Sequence, residues 1–178
     1  MCKQPTSYIS TQREVRYIVD MKLQCILIPV DFSDVTEKVV QTAGEMAKAF
    51  GGRVVLLHVS EPDPDFVGFE PGPQAVRSVV ARDFKVEHQK LADWKERLTR
   101  SGVETSALHI QGSLADKILQ EAEEQGAGLI VIGSHGHGAL YNLLVGSVTS
   151  GVLKGARCPV LVVPADRHAH VAAAPSLS

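Results

Sequence analysis

The sequence predicts an α/β fold: a doubly wound, five-stranded parallel sheet with helices on both faces, in the Rossmann-like manner. Three observations carry this. Four short runs of apolar residues, 25–30, 54–59, 129–132 and 160–163, and one alternating stretch, 103–110, are spread along the chain. Between them lie segments whose apolar residues recur every three or four positions, as on amphipathic helices. Glycines punctuate most of the junctions. Strands and helices in strict alternation give parallel strands joined by crossover helices.

The chain has 178 residues and a hydrophobic fraction of 44%, enough for one domain with a real core. Its formal charge of −2 creates no field that would attract nucleic acid or an anionic membrane, so neither is expected as a partner. No apolar run reaches the roughly 20 residues of a membrane helix. The first 20 residues are polar and lack the apolar core of a signal peptide, which makes the cytoplasm the expected location. The domain is expected over 21–164, between a poorly ordered extension at 1–20 and a small, polar tail at 165–178. Cys2, Cys25 and Cys158 are odd in number and have no metal-like spacing; Cys25 and Cys158 read as packing residues.

In chain order, the first strand ends near Pro29, because proline cannot donate to a sheet ladder. Ser33 is a suitable N-cap for a helix carrying Val35, Val39, Val40, Ala43, Met46, Ala47 and Phe50 on its apolar stripe, and Gly51-Gly52 stops it. The second strand is followed by 61–74, rich in proline and glycine and therefore irregular. A long helix then places Val76, Val80, Phe84, Leu91, Trp94 and Leu98 on one stripe, with its charges solvated. After the third strand, Ser113-x-x-Asp116 resembles a capping box. The helix it opens buries Leu114, Ile118, Leu119 and Ala122 and closes at Gly126.

The most informative stretch follows. After the buried strand 129–132 comes Gly133-Ser134-His135-Gly136-His137-Gly138, then Gly146-Ser147-Val148-Thr149 at the start of a short helix. The glycines permit tight turns and close approach of the backbone to a ligand. A helix N-terminus carries unpaired N–H groups and partial positive charge, so strand, glycine loop and helix start together suit a phosphate. The pattern is not a Walker loop, since no lysine precedes the serine, nor Gly-x-Gly-x-x-Gly, since Tyr141 occupies the last position. In parallel sheets, ligands sit beyond the carboxyl ends of strands where the strand order reverses. If the first and fourth strands are neighbours there, Asp31 and the glycine loop share a crevice. Asp31 then suits ribose hydroxyls or, alternatively, serves as a helix-start charge. The backbone of Val59 suits the edge of a base, and the hydroxyls of Ser147 and Thr149 suit phosphates.

His135 and His137 invite a metal reading, but no Cys, Asp or Glu accompanies them locally. A divalent ion held chiefly by nucleotide phosphates fits better. The glycine loop carries no lysine or arginine to stabilise a leaving phosphoryl group, so no catalytic residue is assigned and binding is favoured over turnover.

Taken together, Ile28-Pro29-Val30-Asp31-Phe32-Ser33, Leu57-His58-Val59, the two glycine motifs and Cys158-Pro159-Val160-Leu161-Val162-Val163 resemble the universal stress protein family, in its ATP-binding branch. The resemblance spans about 22–164. It implies ATP, with Mg or Mn, held by Pro29, Val30, Asp31, Val59, Ile132, Gly133, Ser134, His135, Gly136, Gly146, Ser147, Val148 and Thr149. It also implies a homodimer through the last strand, Val160 to Val163, and a nucleotide-dependent regulatory or stress-response role. The alternative is a slow, metal-dependent ATP hydrolase or phosphoryl-transfer enzyme on the same fold.

Overall fold

A computed structural model describes residues 23–60, 74–134 and 145–165, the side chains of 74–81 and 83 apart. The expectations for 1–22, 61–73, 135–144 and 166–178, among them those for His135, Gly136 and His137, lie outside the described residues. The elements run β1 (Cys25–Pro29), α1 (Thr36–Phe50), β2 (Arg53–Ser60), α2 (Gln74–Arg100), β3 (Thr105–Gln111), α3 (Leu114–Glu124), β4 (Leu129–Gly133), α4 (Ser147–Gly155) and β5 (Val160–Val163). The five strands form one sheet in the order β3-β2-β1-β4-β5, and every neighbouring pair is parallel. The order reverses between β1 and β4.

Period-two alternation divides the buried side chains between the two faces. Ile26, Ile28, Val54, Leu56, Leu129 and Val131 pack with Val39, Val40 and Ala43 of α1 and Leu91 and Leu98 of α2. On the other face, Leu27, Val55, Leu57, Ile130 and Ile132 pack with Ile118 and Ala122 of α3 and Val152 of α4. Both faces are covered, which is why these strands are continuously apolar rather than alternating with polar residues. Close approaches fix the connections: a Cβ on Gly52 would stand 2.0 Å from the Leu23 carbonyl oxygen. Gly51 and Gly126 take the positive φ of 67° and 63° that ends a helix with a left-handed residue.

Four local expectations are corrected. α1 begins at Thr36, with Val35 rather than Ser33 at its N-cap, because the Asp31 side chain has taken over the residues before it. Ser113 precedes α3 but makes no side-chain capping bond. Phe50, at the end of the α1 stripe, is 54% exposed, and Phe84 of α2 is 42% exposed. Phe50 stands in the last turn, beside the glycine pair where the chain leaves the core. Phe84 instead stacks on His109, with ring centroids 4.1 Å apart.

Candidate functional site

The carboxyl ends of β1 and β4 form the site. Gln24 O accepts from Arg53 N on the β2 side, while Cys25 O accepts from Gly128 N on the β4 side. By strand alternation the nitrogen of Pro29 therefore faces β4, where it has no hydrogen to donate. The β1–β4 pairing accordingly runs through Ile26↔Leu129 and Leu27↔Ile130, whereas β1–β2 pairing continues to Pro29↔Leu57 and Val30 N to Leu57 O, 2.9 Å. The sheet parts on one side of Pro29. Continuing the two registers brings Asp31 level with Ser134 across the gap and with Val59 on the β2 side. Val59 presents its N–H and C=O to the same side as the Leu57 carbonyl, facing the turn that carries Asp31.

That turn is tightly built. Asp31 Oδ1 accepts from Ser33 N at 3.1 Å, Ser33 Oγ at 2.6 Å and Thr36 Oγ1 at 3.3 Å. The carboxylate thus organises the approach to α1 while standing at the crevice. Phe32 has φ 60°, a left-handed conformation that costs roughly 1–3 kcal/mol in a non-glycine residue. Its ring rests on His58, centroids 4.5 Å apart, with Lys90 Nζ 5.3 Å from its centre. His58 Nδ1 in turn lies 2.8 Å from Val30 O.

On the other side, Ser134 N donates to Val163 O and Gly146 N to Ser134 O, both at 2.8 Å. Ser134 Oγ accepts from Ala165 N at 3.2 Å. Buried Thr149 donates its hydroxyl to Gly133 O at 2.8 Å. Gly146 is the N-cap of α4, with extended φ −68° and ψ 163°, and no side chain caps the helix among the described residues. The first N–H groups of α4, those of Ser147, Val148 and Thr149, are therefore without intrahelical acceptors. They suit an anion, while the Thr149 hydroxyl positions the loop. The structure brings Pro29, Val30, Asp31, Val59, Ile132, Gly133, Ser134 and Gly146 to Thr149 to the same end of the sheet. A depression of about 390 Å³ at the opposite end, lined by Gln24, Lys48, Arg53 and Glu104 among others, carries no phosphate cradle.

One group near the crevice escaped the sequence. His109 of β3 pairs with His58 of β2, and Glu87 of α2 reaches both rings. Burial chiefly, and repulsion from His58 next, push the His109 pKa below the ordinary histidine value, against the pull of Glu87.

A family model described as the universal stress protein family matches residues 23–164. A universal stress protein of Thermus aquaticus is 36% identical over 139 residues, covering 78% of this chain and 96% of that protein. The solved structure of protein MJ0577, a universal stress protein of Methanocaldococcus jannaschii, superposes with a TM-score of 0.71 at 28% identity, covering 82% of this chain and 99% of the other. The universal stress protein of Archaeoglobus fulgidus in complex with dAMP shares the fold, with a TM-score of 0.59 at 24% identity over 79% of this chain and 98% of its own.

Proposed function

This chain belongs to the universal stress protein family, and from that premise we propose that it binds ATP in the crevice between β1 and β4 as a nucleotide-dependent regulatory module of the cytoplasm. The observation that carries the reading is the placement of Asp31 opposite the Gly133–Ser134 turn and the uncapped start of α4, at the one position where the strand order reverses. In this reading the backbone of Val59 meets the adenine edge and Asp31 meets the ribose. Gly133, Ser134, His135, Gly136, Gly146, Ser147 and Val148 surround the phosphates, with Thr149 holding the Gly133 carbonyl. A magnesium or manganese ion would ride mainly on the phosphate oxygens, since such ions require few protein ligands. The dAMP complex of the Archaeoglobus protein supports the fold as a holder of adenine nucleotides.

Equilibrium binding of ATP to the purified protein tests the proposal, with Gly146→Val as the control. The extended backbone at Gly146 accepts valine without backbone strain, and the added branch would stand at the start of α4 where the phosphates are proposed to lie; the melting temperature checks that the variant is folded. Equal retention of ATP by both proteins would refute the site. Slow metal-dependent hydrolysis would have to rest on Asp31, because 133–146 contains no lysine or arginine. Phosphate release abolished by Asp31→Asn with ATP binding intact would establish it.

We further propose homodimerisation through β5. It is an edge strand, and Val160, Leu161 and Val162 are only half-buried, so a second copy would cover them and close the exposed edge.

A further inference from the structure

Two strands and a helix converge on a cluster that the nucleotide reading does not use. His58 and His109 stand side by side in the β2–β3 register, under α2, from which Glu87 projects toward both. The imidazole side chains are 8% and 3% exposed, and that of Glu87 is 34% exposed. A carbonyl oxygen only accepts, so the 2.8 Å contact with Val30 O places a proton on His58 Nδ1. In the neutral ring Nε2 is then a bare lone pair. It has no hydrogen-bond partner among the described residues, yet it faces Glu87 Oε2 at 3.5 Å. His109 Nε2 stands at the same 3.5 Å from that oxygen, with Ser60 Oγ 3.2 Å away. The bare Nε2 of His58 and the Nε2 of His109, whose proton its contact with Ser60 Oγ leaves on either side, thus converge on one carboxylate oxygen, an arrangement that suits a cation.

The separations leave room for an ion. A proton shared between imidazole and carboxylate draws the heavy atoms to about 2.7–2.9 Å. Ligand atoms each about 2.1 Å from a tetrahedral ion stand about 3.4 Å apart, close to both observed separations, and the three candidate ligand atoms all lie within 4.8 Å of one another. We propose that His58 Nε2, His109 Nε2 and Glu87 Oε2 form a site for one divalent transition-metal ion of the zinc class, with water beside Ser60 Oγ in the fourth position. Two imidazoles and a carboxylate suit zinc and its neighbours, whereas magnesium and calcium prefer oxygen donors throughout. The Val30 carbonyl is the outer partner that fixes the His58 ring and its tautomer, as is usual for metal-binding histidines; His109 Nδ1 has no such partner among the described residues. The sheet supplies the two rigid ligands, and Glu87, on the more open helix, adjusts to the ion. None of the three ligands is assigned to the nucleotide, although the Val30 carbonyl that orients His58 lies at the crevice.

The test uses the full chain, stripped with a chelator and titrated with Zn²⁺ against a chromophoric competitor, and separately with Co²⁺ read by its visible spectrum. Wild type should take up one equivalent with the intense bands of tetrahedral cobalt, and its melting temperature should rise with zinc. Glu87→Gln alters a partly exposed side chain and keeps the helix; it should lower zinc affinity at least about 100-fold and abolish the cobalt bands. A His135→Gln/His137→Gln double variant should bind as wild type does. Absence of stoichiometric uptake, uptake unchanged by Glu87→Gln, or uptake lost in the double variant would each overturn the proposal.

Discussion

Thr149→Val offers the sharpest test of how the phosphate cradle is built. The substitution keeps the side-chain volume and shape but deletes the hydroxyl that donates to Gly133 O at 2.8 Å. Thr149 itself is only 4% exposed, while Gly133 is half-buried. Losing this part-buried bond costs about 0.5–1.5 kcal/mol, or a fall in melting temperature of roughly 1–6 °C for a domain of this size. Thr149→Ser keeps the donor and should lose much less. If Thr149 acts by positioning Gly133, the valine variant melts early, and its ATP affinity falls by no more than about tenfold, equal to 1.4 kcal/mol. Thermal denaturation followed by circular dichroism, alongside equilibrium dialysis with ATP, measures both quantities. A valine variant that melts with wild type yet no longer holds ATP would show the hydroxyl to be a direct phosphate ligand, contrary to this reasoning.

Other substitutions probe the frame around the site. Leu91→Ala removes a fully buried anchor of α2 and should lower unfolding free energy by about 2–5 kcal/mol in urea titrations. Gly52→Ala drives a methyl into the Leu23 carbonyl and should destabilise by roughly 3 kcal/mol or more, seen as a matching drop in the urea midpoint. Burial raises the pKa of the Cys25 thiol, so its folded value exceeds its unfolded one. The resulting stability is complete below the unfolded pKa of about 8.5 and is lost as pH rises toward the folded value. Cys25→Ala should therefore flatten the decline in urea midpoint between neutral and alkaline pH. Val162→Lys places a charge on the edge strand and should leave the protein monomeric in light scattering if β5 is the dimer contact.

Four strands were legible because branched apolar runs between glycine breaks have few other uses in an α/β chain, and β3 because its residues alternate. Asp31 and the Gly133 and Gly146 turns were likewise readable, since each sits at an element boundary marked by its own residues. Finer points depended on atoms distant in sequence. Ser33 had the composition of an N-cap, but Asp31 recruits its N–H and hydroxyl, and the left-handed Phe32 delays the helix to Thr36. Thr149 reads equally as a phosphate donor until Gly133 O is seen beside it. The metal-like cluster was invisible for the same reason. His58, Glu87 and His109 come from three elements, and only the β2–β3 register and the pitch of α2 bring them together, whereas adjacent His135 and His137 drew attention by proximity alone.

Pro29 gives the crevice an origin in covalent chemistry. A pyrrolidine ring where an amide hydrogen would have stitched β1 to β4 leaves the seam unsewn before any guest arrives. The empty form should consequently be preshaped, admitting its ligand without prising strands apart. An ordinary amino acid at that place would let the seam close, so Pro29→Ala is expected to slow entry of nucleotide while making the sheet itself more resistant to denaturant.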